Sequence, residues 1–168
     1  AKITNRTKGI MINSPSNPTG NLLAPDMMQK MAELSPPVIS DEIYHGLVYG
    51  EKEHSILEFT ERAFVLNGFS KAYAMTGWRV GWMIGPTEVV KGATRIQSHL
   101  SSNVNNVAQA AALEAVTGSL DAAFAMREAF DRRRRTMVAM LGAIDGVTCV
   151  EPQGAFYAFP NFTGLLDR

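Results

Sequence analysis

The sequence predicts an α/β fold: a three-layer α/β/α core around a mostly parallel sheet, followed by the start of a small α+β domain. Three observations carry that expectation. Short apolar runs recur at residues 9–12, 38–41, 63–69 and 79–84. Segments of helical spacing or helical length accompany them, the arrangement that favours parallel strands. Polar residues gather just past the strand ends, where ligands of open α/β sheets bind.

Gly9-Ile10-Met11-Ile12 reads as a buried strand that stops at the turn-rich Asn13-Ser14-Pro15-Ser16-Asn17-Pro18-Thr19-Gly20. Residues 25–34 place Met27, Met28, Met31 and Leu34 at helical spacing, with Pro25 tolerated in a first turn. Pro36-Pro37 ends that helix, and Val38-Ile39 opens a second strand finishing near Asp41. Residues 63–69 and 79–84 supply the third and fourth strands. Residues 87–100 and 104–116 read as helices, and Ser119 as the N-cap of a long helix to about Leu141. Residues 147–150 and 155–159 read as short strands joined by Pro152 and Gly154. The expected organisation is a core over 1–118, a linking helix over 119–146, and an incomplete smaller domain over 147–168. Because the chain opens at Ala1 without Met and closes at Arg168 just after a strand-like run, both ends read as cut.

With 16 basic and 16 acidic side chains in 168 residues, the chain has no formal net charge. That balance argues against a nucleic-acid partner engaged by phosphate neutralisation. The 46% hydrophobic content is sufficient for a core. Cys149 stands alone, so no intrachain disulfide forms and a cytoplasmic location is expected. No apolar run approaches the roughly 20 residues that span a bilayer, and no leader pattern opens the chain, so no membrane partner is expected. His45, His54 and His99 lack metal-ligand spacing, and no metal is expected. Arg132 to Arg135 form i,i+4 pairs with Glu128 and Asp131, the pattern of a solvated helix face.

Three clusters can carry chemistry. Lys71 follows Ser70 directly after the third strand, and Gly77, Arg79 and Gly81 complete Ser-Lys-x5-Gly-x-Arg-x-Gly. A lysine amine becomes a Schiff-base former when burial and neighbouring cations lower its pKa. Ser70 and Arg79 together can hold a phosphate, Arg through its planar fork. A lone lysine beside a turn is usually solvated; the surrounding spacing argues otherwise here. Asp41-Glu42-Ile43-Tyr44 closes the second strand. A carboxylate there can keep a ring nitrogen protonated, and Tyr44 can bond a ring hydroxyl from the same side. Glu42 reads as solvated surface or a structural ion-pair member. Asn17-Pro18-Thr19-Gly20 is a turn by composition, in which Pro15 and Pro18 can fix the loop so that Asn17 presents its amide to a ligand. Gly77-x-Arg-x-Gly81 precedes a strand, unlike a dinucleotide fingerprint, which opens a helix.

In this order the clusters resemble the fold-type I pyridoxal-phosphate enzymes, specifically the class I/II aminotransferases of the aspartate aminotransferase family. Ser102-Asn103 and Gly154-Ala155-Phe156-Tyr157 continue the likeness along nearly the whole chain. The resemblance implies that residues 1–118 are part of a large domain binding pyridoxal 5'-phosphate. It implies catalytic roles for Lys71, Asp41 and Tyr44, with Lys71 holding the cofactor as a Schiff base and shuttling the α-proton. Asp41 is expected to face the pyridine nitrogen, Tyr44 and Asn17 the ring hydroxyl, and Ser70 and Arg79 the phosphate. The implied reaction moves an amino group between an amino acid and a 2-oxo acid, in a homodimer.

The segment between Gly20 and Asp41 is several residues shorter than the family's. The family's N-terminal part and its arginine for the substrate α-carboxylate have no counterpart here, so this chain alone is expected to lack turnover. Ser98 stands where one branch carries an arginine for a side-chain carboxylate. The alternatives are a carbon–sulfur β-lyase on the same cofactor cradle, or an aminotransferase-like sensing domain of a transcription regulator.

Overall fold

Apolar runs bounded by turns set the framework of the chain, whose computed structural model describes residues 2–166. Strands β1 (Ile10–Asn13), β2 (Val38–Asp41), β3 (Ala63–Gly68) and β4 (Gly81–Ile84) form one sheet in that order. β1, β2 and β3 run parallel, with Asn13 opposite Asp41 and Asp41 opposite Leu66, so three carboxyl ends lie side by side. β4 is antiparallel to β3, with Gly68 opposite Gly81. Residues 69–80 are therefore a loop whose two ends are held together, and Phe69 N–H donates to the Val80 carbonyl at 3.3 Å.

Helix α1 (Pro25–Ala32) covers one face of the sheet. Its Met28 joins Ile12, Val38, Ile56, Ala63 and Val65 in the buried core, with Ile10, Leu23, Met31 and Phe59 packed around them. Alternation along β1 puts Ile12 into that core and leaves Met11, on the other face, 74% exposed. Helices α2 (Thr87–Leu100), α3 (Asn106–Thr117) and α4 (Asp121–Gly142) follow, then two short antiparallel strands, β5 (Thr148–Cys149) and β6 (Pro160–Asn161), and a 3-10 turn over Thr163–Leu165. A second core unites Tyr44, Leu47 and Ala155 with Ile43, Met126, Phe130 and Tyr157, so α4 and the stretch after it pack against the end of β2. Among the described residues no helix is long and apolar enough to cross a membrane. No group of three His, Cys, Asp or Glu among them is placed to hold a metal.

Several local expectations are corrected. The fourth strand begins at Gly81, not Arg79, because a 3-10 turn over Thr76–Trp78 ends at Arg79 in the left-handed region, φ 53°. The long helix begins at Asp121, and Ser119 does not cap it: its hydroxyl accepts the Asp121 N–H at 3.1 Å, while Leu120 occupies the N-cap position. Residues 155–159 do not form the expected strand. Ala155 is left-handed (φ 58°), which breaks the extended run, and β5 pairs instead with Pro160–Asn161. On α4, Asp131 pairs with Arg135 as expected, but also with Arg134 at 2.7 Å, and Arg134 reaches Glu151 at 2.6 Å.

Candidate active site

The paired ends of β1 and β2 build the first wall. Asn13 Nδ2 donates to the Asp41 carbonyl at 3.0 Å, and Ser14 N–H donates to the same oxygen at 3.2 Å. Asn13 Oδ1 accepts from the Asn17 N–H at 2.7 Å, so one side chain sets both the strand end and the following loop. Asp41 Oδ1 accepts the Ile43 N–H at 3.1 Å, while no described residue donates to its other carboxylate oxygen. Asp41 is thus oriented and still has an acceptor to offer.

Its neighbour Glu42 is not solvated. Only 2% exposed, it accepts from Ser40 Oγ (2.9 Å), Ser55 Oγ (3.1 Å) and Ile56 N–H (3.0 Å) through one oxygen, and its other oxygen lies 3.5 Å from His45 Nδ1. A buried carboxylate needs such partners, and these fasten residues 55–58 beneath the turn that follows Asp41. Glu42 is a structural residue.

Tyr44, buried after that turn, brings its hydroxyl to the Asn17 amide. Asn17 Nδ2 lies 3.4 Å from Tyr44 Oη and 3.4 Å from Tyr157 Oη, and the two phenol oxygens are 2.6 Å apart. Burial is the largest influence on Tyr44. It acts with the Tyr157 hydroxyl and the nearby Asp41 charge to push the phenol well above the usual tyrosine range, against a smaller opposing pull from Asn17. Tyr44 is therefore a neutral O–H, able to donate.

Tyr157 has no assigned role in the sequence reading, although it closes the Gly154-Ala155-Phe156-Tyr157 match. It lies 113 residues beyond Tyr44, and its approach depends on two glycines. The Gly20 carbonyl accepts the N–H groups of Gln153 (2.9 Å) and Gly154 (2.8 Å), and Ala155 N–H donates to the Leu47 carbonyl (2.9 Å). A Cβ on Gly154 would fall 2.6 Å from Pro15 Cγ, and one on Gly20, at φ 71°, 2.4 Å from Pro152 Cβ. Only glycine permits that contact between the loop after β1 and the segment carrying Tyr157.

Lys71 opens the loop between β3 and β4. Its ammonium lies 6.0 Å from the Tyr44 ring centroid and 5.8 Å from that of Phe156, and donates no hydrogen bond to the described residues. Tyr44 and Phe156 meet edge to face at 5.6 Å, so the amine stands over an aromatic corner. Within the same loop Thr76 joins the two residues expected at a phosphate. Its hydroxyl donates to the Ser70 carbonyl at 2.9 Å, and its carbonyl accepts from Arg79 Nη1 at 3.0 Å. Thr76 also escaped the sequence reading, since a threonine in a turn carries no signal alone.

The structure therefore brings Asn17, Tyr44 and Lys71 to one corner and Asp41 to the strand end beside it, with Ser70 and Arg79 on the Lys71 loop. No hydrogen bond among the described residues ties Ser70 or Arg79 to the Asn17–Tyr44 pair. A primary amine, an oriented carboxylate and three convergent hydroxyl and amide donors suit a planar ring that bears both an acidic hydroxyl and a basic nitrogen.

The sequence model for aminotransferase class I and II matches residues 1–167. An aspartate aminotransferase of Streptomyces avermitilis is 52% identical over 98% of this chain and 43% of its own length. An aspartate/prephenate aminotransferase of Cereibacter sphaeroides is 41% identical over all of this chain and 44% of its own. The crystal structure of the aspartate aminotransferase from Rhizobium meliloti superposes with a TM-score of 0.93 at 37% identity, covering 98% of this chain and 44% of that one. An alanine aminotransferase from Pyrococcus furiosus gives 0.88 at 34% identity, covering 96% and 44%. The chain thus spans less than half the length of the relatives it matches.

Proposed function

This chain belongs to the aminotransferase class I and II family, and we propose that the protein carrying it is a pyridoxal-phosphate-dependent aminotransferase of aspartate or aromatic type. The observation that carries this reading is the convergence of Lys71 Nζ with the Asn17–Tyr44 pair beside the carboxyl end of β2. The similarity to relatives named aspartate and aspartate/prephenate aminotransferase supports the substrate class.

The donor set fits the cofactor. Asn17 Nδ2 and Tyr44 Oη are donors matched to a ring hydroxyl oxygen, Asp41 has a carboxylate oxygen without a partner among the described residues, and Ser70 and Arg79 share one loop held by Thr76. When bound, pyridoxal phosphate supplies an electron sink for negative charge at the substrate α-carbon. Asp41 is assigned to keep the ring nitrogen protonated, a contribution felt most as that charge develops. Tyr44 and Asn17 orient the ring through its hydroxyl, and Ser70 and Arg79 hold the phosphate. Lys71 Nζ would hold the cofactor and move the proton of the substrate α-carbon. The aromatic corner of Tyr44 and Phe156 flanks that amine and fixes where it stands. Side chains such as Ile96, Leu100, Val107 and Leu113 stand exposed on α2 and α3, an apolar surface that suits further chain or a second subunit in a homodimer.

The test is to assay the full-length protein against a panel of amino donors with 2-oxoglutarate and oxaloacetate. Amino transfer from aspartate or an aromatic amino acid is expected. Absence of transfer, with pyruvate and ammonia released from cystathionine, would replace this reading with a carbon–sulfur lyase.

A further inference from the structure

We propose that Tyr157 is a positioning residue of the cofactor site, which sets the donor strength of Tyr44 through a shared proton. The inference rests on the aminotransferase reading above, and extends it to a residue far along the chain.

The geometry leaves little choice in the placing of protons. Two phenol oxygens at 2.6 Å must have one hydroxyl proton between them. The Asn17 amide carries two hydrogens and lies 3.4 Å from each oxygen. If Tyr157 gives its proton to Tyr44, the Tyr44 proton is released to point at an acceptor in the site. If Tyr44 gives its own proton to Tyr157, it has none left for a ligand. An acidic ring hydroxyl placed beside Tyr44 and Asn17 selects the first arrangement, giving a chain of donors from Tyr157 through Tyr44 to the ligand oxygen. Each donor in such a chain strengthens the next. Tyr157 is half-buried and wedged against Tyr44 and Phe156, at ring separations of 5.7 and 4.9 Å. It is tethered by the Gly20, Gln153 and Gly154 contacts, so its hydroxyl is delivered to a fixed place. The charged and titratable groups facing the pair are Lys71 above the Tyr44 ring and Asp41, whose charge acts on Tyr44. α4 packs Met126 and Phe130 against the cluster, with the Arg133 guanidinium over the Phe130 ring at 5.7 Å, and Arg133 and Arg134 line the cavity beside Tyr157.

The consequence is specific. Donors on the ring oxygen stabilise its negative charge, which is greatest once the nitrogen linking the cofactor to Lys71 has lost its proton. Removing a donor therefore raises the pH at which that nitrogen deprotonates, a change read directly from the cofactor's absorption.

The experiment uses the full-length protein loaded with pyridoxal phosphate. Tyr157→Phe, which keeps the ring and its packing, should raise the absorbance midpoint by up to about one pH unit and weaken cofactor binding roughly threefold to tenfold. The same change made in a Tyr44→Phe background should have less than about half that effect on the midpoint, because the path runs through Tyr44. A midpoint unmoved by Tyr157→Phe in protein that still binds the cofactor overturns the proposal. So does an equal shift in both backgrounds, which would mark a role independent of Tyr44. Failure of the unmutated protein to bind the cofactor at all overturns the underlying aminotransferase reading, and this proposal with it.

Discussion

The amide nitrogen of Asn13 donates to the backbone carbonyl of Asp41 at 3.0 Å, across the paired ends of β1 and β2. Its amide oxygen simultaneously accepts the Asn17 N–H at 2.7 Å. One side chain thus fixes two residues proposed to bind different groups of the cofactor ring. Asn13→Ala in the full-length protein should lower kcat about tenfold, the scale of one lost hydrogen bond. Asn13→Asp keeps the acceptor for Asn17 and loses the donor to Asp41, and should fall between. Steady-state kinetics on both variants check the order; equal activity of all three proteins would refute the coupling.

Asp41 should matter more to turnover than to cofactor capture, since its charge is best used when negative charge develops on the substrate carbon. Asp41→Ala is expected to lose roughly 10²-fold or more in kcat, the range for removing one such electrostatic group. The dissociation constant for pyridoxal phosphate, measured by fluorescence titration, should change far less. A near-normal kcat would remove Asp41 from the mechanism.

Glu42 should behave in the opposite way. Glu42→Ala leaves the Ser40 and Ser55 hydroxyls and the Ile56 N–H without their acceptor. Stranding buried polar groups of this kind costs about 1–3 kcal/mol each, so unfolding by urea should reveal a loss of at least about 3 kcal/mol. Glu42→Gln retains an acceptor oxygen and should cost less. A stable Glu42→Ala protein would show that water replaces the carboxylate.

How much of this was legible beforehand differs by residue. Strand ends at Asn13 and Asp41 followed from apolar runs stopping at turn residues, a local signal. The left-handed Arg79 did not, because it ends a 3-10 turn over Thr76–Trp78 and residues 76–79 carry no apolar pattern. Glu42 read as solvated surface or a structural ion-pair member, and an Asp-Glu pair gives no hint of Ser55, thirteen residues away, waiting to satisfy it. Tyr157 was the most hidden: it reaches Tyr44 only through the seating of residues 152–155 on Gly20, a contact between distant segments. Local periodicity describes elements; the site was completed by tertiary contacts that no window of sequence contains.

Tyr49 gives a prediction for alkaline pH. Burial is the main influence that pushes its phenol up to about 12, aided by Asp131 and partly offset by Arg134 and Arg127. The raised value means the unfolded chain ionises first, near pH 10. This contribution to stability is complete below pH 10 and is lost as pH rises towards 12. In the full-length protein, thermal denaturation between pH 9.5 and 11.5 should show a fall that is shallower in Tyr49→Phe. That variant also loses the hydroxyl's bond to the Ala155 carbonyl, so it should start from a lower stability at neutral pH. Identical slopes in both proteins would mean Tyr49 ionises freely.

Lys71 carries the central claim, because alone among the described lysines it joins a strand-end position to the aromatic corner and to the Ser70–Thr76–Arg79 loop. The direct measurement is borohydride reduction of the full-length protein loaded with pyridoxal phosphate, followed by peptide mapping. A pyridoxyl group on Lys71, with Lys71→Ala yielding no labelled peptide, is the expected result. A pyridoxyl group on any other lysine, with Lys71 unmodified, would contradict the assignment of the site.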